Sequence, residues 1–228
     1  MSQSPILITG GAQRLGLHCA ERLLDDGHPV IVTYRREREA VAALRARGAL
    51  TLQADFATRG GIEAFIDRLK AQTRSLRAVV HNASEWLADP APEAAGETFE
   101  RLFQVHMQAP YLINLAAREL LEACQEPQRD IVHITDSVVR RGAAEQAAYA
   151  ASKAGLESLT LSFAARFAPA IQVNAIAPGL VMLGEATHTN RRVPGPGVVY
   201  QTLRYLLDND YVTGTVIAVD GGESLGAG

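Results

Sequence analysis

A tyrosine and a lysine stand four residues apart in Tyr149-Ala-Ala-Ser-Lys153. On a helix, residues at that spacing share a face. An ammonium beside a phenol favours the phenolate and lowers the work of moving the phenolic proton. The pair is therefore a candidate for proton transfer. By itself the spacing equally fits a core tyrosine with a solvated lysine one turn on. A carboxylate, Asp136, precedes the pair and directly follows Ile131–Thr135, an apolar run that reads as a buried strand. Such chemistry needs a scaffold that brings strand ends and helix starts together.

The chain ahead of this stretch supplies one. Residues 5–9 are apolar and rich in β-formers, and Gly10-Gly11-Ala12-Gln13-Arg14-Leu15-Gly16 follows at once. An amphipathic stretch then runs to Gly27. Strand, glycine turn and helix form the context in which a glycine fingerprint binds a pyrophosphate: Gly10 permits the turn, and Gly16 permits close approach to the helix-terminal N–H groups. The same stretch also fits a tight turn without a ligand. Arg14 lies inside it, either reaching a cofactor phosphate and the substrate or standing in solvent. The second strand, Val30–Thr33, ends in Tyr34-Arg35-Arg36 where many dinucleotide folds carry an acid. Two guanidiniums and no carboxylate favour the 2′-phosphate of NADP(H), unless they only begin a solvated helix over 37–47.

Further strands are expected at Leu50–Gln53, Arg77–Val80, Ile171–Ala177 and Thr215–Val219, with helices at 61–72, 98–124, 149–168 and 199–207. Pro110 implies a bend or break in the longest of these. Residues 85–97, rich in Ala, Pro and Glu, read as a loop, and residues 183–199 as a substrate loop or surface excursion. Alternating strands and helices give an α/β, doubly wound (Rossmann) three-layer sandwich, here as a single domain over 1–228. Ligands bind at the carboxyl ends of such strands. There Asp55 could accept from an adenine amino group, with Phe56 packing beside it. Trp86 is either a stacking surface for a planar substrate or a loop anchor.

Composition narrows the class. In 228 residues, 47% hydrophobic, Lys+Arg 22 against Asp+Glu 25 give a net charge of -3. No basic run suggests nucleic acid, and no apolar run suggests a membrane span or leader. Cys19 and Cys124 fall in apolar helical patterns and read as reduced core thiols. A cytoplasmic protein without a metal is expected.

Several ordered motifs together carry a resemblance: TGGAQRLG at the first turn, Asn82-Ala83, Tyr149 with Lys153, Pro178-Gly179, and the terminal Asp220-Gly-Gly. They resemble the short-chain dehydrogenase/reductases across nearly the whole chain. The Tyr34-Arg35 pair, HNAS with Trp86, ITDSVVRRG and YVTG are similar to the pteridine reductase branch. The resemblance implies a seven-stranded parallel sheet, a homotetramer, and NADPH as cofactor. It implies reduction of a 7,8-dihydropterin, dihydromonapterin or dihydrofolate, at C6 and N5. Tyr149 would donate the proton, Lys153 would assist it and bind the nicotinamide ribose, and Asp136 would orient Tyr149 or relay a proton. Gly10, Arg14, Leu15, Tyr34, Arg35, Arg36, Asp55, Phe56, Asn82, Ala83, Ser84, Pro178 and Gly179 would join Tyr149 and Lys153 in holding the cofactor. Arg14, Ser84, Trp86, Asp136, Tyr149 and Leu180 would face the substrate. Asp136 stands where most of the family has serine, as it does in pteridine reductases. His106 stands at the family's asparagine position, and the 183–199 segment is shorter than in that branch. An NADPH-dependent carbonyl or 3-oxoacyl reductase would instead call for serine at 136, and a non-catalytic dinucleotide-binding protein for loss of Tyr149 or Lys153.

Overall fold

The computed structural model describes residues 3–182 and 193–225. Seven strands make one parallel sheet in the order β3-β2-β1-β4-β5-β6-β7. They are β1 (Ile6–Thr9), β2 (Val30–Tyr34), β3 (Leu50–Gln53), β4 (Ala78–His81), β5 (Asp130–Ile134), β6 (Gln172–Pro178) and β7 (Val216–Val219). The helices that return the chain between them are α1 (Arg14–Asp25), α2 (Glu39–Ala46), α3 (Arg59–Gln72), α4 (Pro92–Phe103), α5 (Ala109–Glu122), α6 (Ala147–Phe167) and α7 (Gly197–Asp208).

The strands read as continuous apolar runs because both sheet faces are covered. Alternate side chains feed two cores. Ile6, Ile8, Val30 and Val32 pack with Cys19, Leu23 and Leu203 on the α1/α7 face. Leu7, Ile31 and Val79 pack with Phe65, Ile113 and Phe163 on the α3/α5/α6 face. The order reverses between β1 and β4, opening a crevice at the strands' carboxyl ends.

Three expectations need correction. The loop read as continuing to residue 97 stops at Pro92, which opens α4 from its first turn, where a missing N–H costs nothing. The helix read over 98–124 is α4, a π-helical turn at Gln104–Gln108, and α5. Pro110 explains that turn: it has no N–H for the carbonyl of His106 four residues back. Of the 183–199 loop, residues 183–192 lie outside the described residues, and Gly197–Val199 already belong to α7. Cys19 and Cys124 are buried free thiols. Among the described residues, no helix is long and apolar enough to cross a membrane, and no cluster of side chains suits a metal ion.

Candidate active site

A cavity of about 350 Å³ opens at the carboxyl ends of β1, β2, β4 and β5. Its wall includes Gly10, Arg14, Leu15, Tyr34, Arg35, Arg36, Asp55, Phe56, Asn82, Ala83, Ser84, Trp86, Asp136, Tyr149, Lys153 and Pro178. The strand order sets the sequence of functions along it, from guanidiniums after β2 to the tyrosine after β5.

At the glycine turn, Gly10 has φ of 65°, and a Cβ there would meet Ala83 Cα at 2.8 Å. Only glycine suits both conditions. Arg14 also occupies the left-handed region, with φ of 48°, at the first residue of α1. Gln13, the residue before the helix, makes no side-chain cap. The first-turn N–H groups of α1 therefore lack a side-chain cap at the cavity wall, a donor set that fits a pyrophosphate. Asn82 does not reach outward: its Nδ2 donates to the carbonyls of Thr9 and Gly10, 3.1 Å each, and clamps the turn to β4. Thr33 helps, its Oγ1 accepting from Gly10 N–H at 2.8 Å.

The guanidinium cluster differs from a simple pair of free cations. Arg35 is ion-paired with Glu85, whose carboxylate also takes Arg101 Nη2 at 2.8 Å. The hydrogen bond from Arg101, and then that from Arg35, hold the Glu85 carboxyl below its ordinary range against the opposing effect of burial. Arg36 and Arg38 make no ion pair among the described residues, so the cluster retains cationic side chains for a 2′-phosphate. Arg38 and Glu85 were missed from sequence; Arg38 continues the visible basic run, whereas nothing local signals Glu85. Asp55 turns one oxygen to Ala57 N–H at 3.0 Å, and Phe56 is buried edge-on against Phe65.

At the other end, Tyr149 Oη donates to Asp136 Oδ2 at 2.8 Å. Asp136 Oδ1 accepts from Val138 N–H at 2.9 Å, which fixes the carboxylate as the cap of a short 3₁₀ turn. Burial first, then the charge and hydrogen bond of Asp136, push the phenol well above its ordinary pKa of 10.0; the nearby Ser84 hydroxyl acts the other way. Lys153 Nζ donates to the Ile134 carbonyl at 3.0 Å and lies 5.7 Å from the centre of the tyrosine ring. Burial brings the ammonium down to about 8. The expected easing of phenolate formation by Lys153 is thus not what governs this phenol; burial and a like charge dominate it.

Trp86 follows β4 with its ring 4.7 Å from that of Tyr149 and tilted by 56°. It is 57% exposed, so most of the indole remains available to a planar ligand. Its loop is tied to α6 by Asp89, which accepts from the N–H groups of Ala147 (2.6 Å) and Ala148 (3.2 Å). Ser84 contacts His106, which is 1% exposed. Gly179 and Leu180 stand outside the cavity wall. A Cβ on Gly179 would meet Asp220 Cα at 2.9 Å, and Leu180 N–H donates to Glu223 Oε2 at 3.0 Å. Both serve the contact with the C-terminal turn, where Glu223 also binds Arg141 at 2.8 Å.

A doubly wound sheet with a glycine-turn cradle and a Tyr/Lys pair defines a nucleotide-dependent oxidoreductase. Residues 4–193 match the family model for the short chain dehydrogenases, and the chain belongs to that family. Dihydromonapterin reductase of Enterobacter sp. (strain 638) is 45% identical over 234 residues, covering 98% of each chain. The crystal structure of FolM alternative dihydrofolate reductase 1 from Brucella suis in complex with NADP superposes with a TM-score of 0.89 at 29% identity, covering 98% of this chain and 96% of that one. A putative betaketoacyl-ACP reductase superposes at 0.85 with 27% identity, covering 98% of each.

Proposed function

We propose that this protein is an NADPH-dependent reductase of 7,8-dihydropterins, producing the tetrahydro form of dihydromonapterin or dihydrofolate. The observation that carries the reading is the Asp136–Tyr149 hydrogen bond of 2.8 Å beneath the exposed Trp86 ring. A carbonyl reductase needs a neutral hydroxyl donor beside the tyrosine to hold a carbonyl oxygen. A carboxylate repels an alkoxide but accepts N–H donors of the kind a pterin edge presents. The relatives named above as dihydromonapterin and alternative dihydrofolate reductases support it, and the NADP bound in the Brucella protein fits the guanidiniums at 35, 36 and 38.

In this reading NADPH, when bound, supplies a hydride to C6 of the substrate. The first turn of α1 and Arg14 hold the pyrophosphate, and Arg36 and Arg38 hold the 2′-phosphate beside the Glu85-paired Arg35. Trp86 covers the pterin ring and excludes water from one face. Tyr149 gives its proton to N5. Asp136 keeps the phenol aimed and takes part in recovering the proton. Lys153 binds the ribose hydroxyls.

The proposed working form is a cytoplasmic homotetramer feeding reduced pterin to one-carbon chemistry, with all 228 residues in one functional unit. Phe99 and Phe103 on α4, Tyr111 on α5 and Leu161 on α6 are exposed apolar side chains suited to contacts between subunits.

The test is loss of NADPH absorbance at 340 nm with dihydromonapterin and with dihydrofolate, set against a 3-oxoacyl thioester. Turnover of a pterin is expected, with Tyr149→Phe slower by roughly 10²-fold or more. Turnover of the thioester alone would replace this reading with the 3-oxoacyl one.

A further inference from the structure

The Ser84–His106 contact has no part in the roles assigned so far, yet its hydrogen-bond directions can be settled by counting protons. The Tyr149 carbonyl has none, so Ser152 O–H donates to it at 2.7 Å. The Ser152 oxygen then accepts from His106 Nδ1–H at 2.8 Å. A neutral ring protonated at Nδ1 presents a lone pair at Nε2. The other side agrees: the Glu85 backbone N–H donates to Nε2 at 3.2 Å. The Ser84 hydroxyl, 2.9 Å from Nε2, is therefore a donor in the resting site. Burial, and then the charge of Lys153, keep the ring neutral by holding its pKa well below the ordinary value.

Nε2 thus has one lone pair and two donors. Ser84 can turn away and Glu85 N–H still satisfies the ring, so no buried acceptor is left unpaired. Ser84 and Tyr149 also line the same cavity wall, and the serine hydroxyl acts on the phenol in the direction of its phenolate. Asp136 opposes that phenolate, and the Lys153 ammonium is turned to a backbone carbonyl. The π-helical turn ahead of Pro110 carries His106 at this spot, its ring edge-on to Tyr149 at 5.4 Å.

We propose that Ser84 is a catalytic residue whose O–H swings from His106 Nε2 to the Tyr149 oxygen as the phenolic proton leaves, with His106 as the positioning residue that holds the hydroxyl ready. The proposal rests on Tyr149 being the proton donor. The phenolic O–H bond breaks and the proton goes to N5 of the substrate. The serine O–H stays intact and exchanges one acceptor for another.

The test compares Ser84→Ala, His106→Leu, His106→Asn and Tyr149→Phe in the full chain, with NADPH and a dihydropterin. Loss of one preorganised donor to a developing oxyanion should lower kcat of Ser84→Ala roughly 100-fold with the KM for NADPH nearly unchanged. His106→Leu should fall similarly, Asn, which keeps an acceptor, should restore part of the loss, and Ser84→Ala should add nothing in the Tyr149→Phe background. A parental kcat for Ser84→Ala beside an inactive Tyr149→Phe overturns the proposal and leaves Tyr149 as the donor. A rise in the NADPH KM alone also overturns it, making Ser84 a cofactor contact. Parental turnover by Tyr149→Phe overturns both the proposal and the reading beneath it.

Discussion

Lys153 is a lysine without water around it, and this gives its charge a narrow working range. Burial brings its pKa from 10.5 to about 8, partly opposed by Asp136. Below that pH the ammonium is present; above it the neutral amine prevails. If the charge is needed, kcat/KM should be flat below pH 8 and fall through it, rather than holding to pH 10. A pH–rate profile on the free enzyme reports this value, and an alkaline limb near 10 would show the lysine to be solvated in solution. At this scale the sequence was half legible. Tyr149 and Asp136 were found because residue type and order suffice to name them. The partners of Lys153 and Arg35 were hidden, because one is a backbone carbonyl at Ile134 and the other is Glu85, fifty positions away. Neither a carbonyl's direction nor a non-local ion pair leaves a local pattern. Lys153 therefore read as the helper of the phenol, although its hydrogen bond goes elsewhere.

Elements place the chemistry more firmly than their own ends suggest. α6 carries Tyr149 in its first turn, yet Gln146 gives it no side-chain cap. Asp89 does so from another loop, and its anionic oxygens also suit the positive end of the helix. Asp89→Ala should cost about 1 kcal/mol of stability in a urea or thermal melt, and kcat should fall as Tyr149 loses its fixed start. A melt and a kcat both equal to the parent's would remove Asp89 from this role. The strands were legible because short continuous apolar runs alternate with turn residues, and most helices because their apolar positions recur at helical spacing; β3 was read to the residue. The start of α4 was not, since Pro92 and its alanine- and glutamate-rich neighbours look like loop composition and also suit a helical first turn. Pro110 did announce a break, but not that it would take the form of a π-helical turn presenting His106 to Ser84.

At the scale of the molecule, the sheet is buried on both faces, whereas one helical surface is left apolar. Phe99 and Phe103 stack with ring centres 5.2 Å apart and remain 45% and 38% exposed. Phe103→Glu should therefore shift the protein toward smaller species in light scattering, because a charge cannot be left unpaired in an apolar contact without a cost of several kcal/mol. An unchanged mass would remove this surface from the proposed tetramer. The topology was the most legible feature of all, since right-handed βαβ units leave few alternatives once the order of elements is known. The bond from Asp89 to α6 has a consequence for how such a protein diversifies. Ring recognition at Trp86 and the footing of Tyr149 belong to one inherited block, although 63 positions separate the two residues in the chain. A recombinant that takes residues 84–91 from one parent and 145–149 from another imports a loop whose anchor was shaped for a different helix. New substrate preferences would then arise more readily by changes at Trp86 with Asp89 kept than by exchange of the loop.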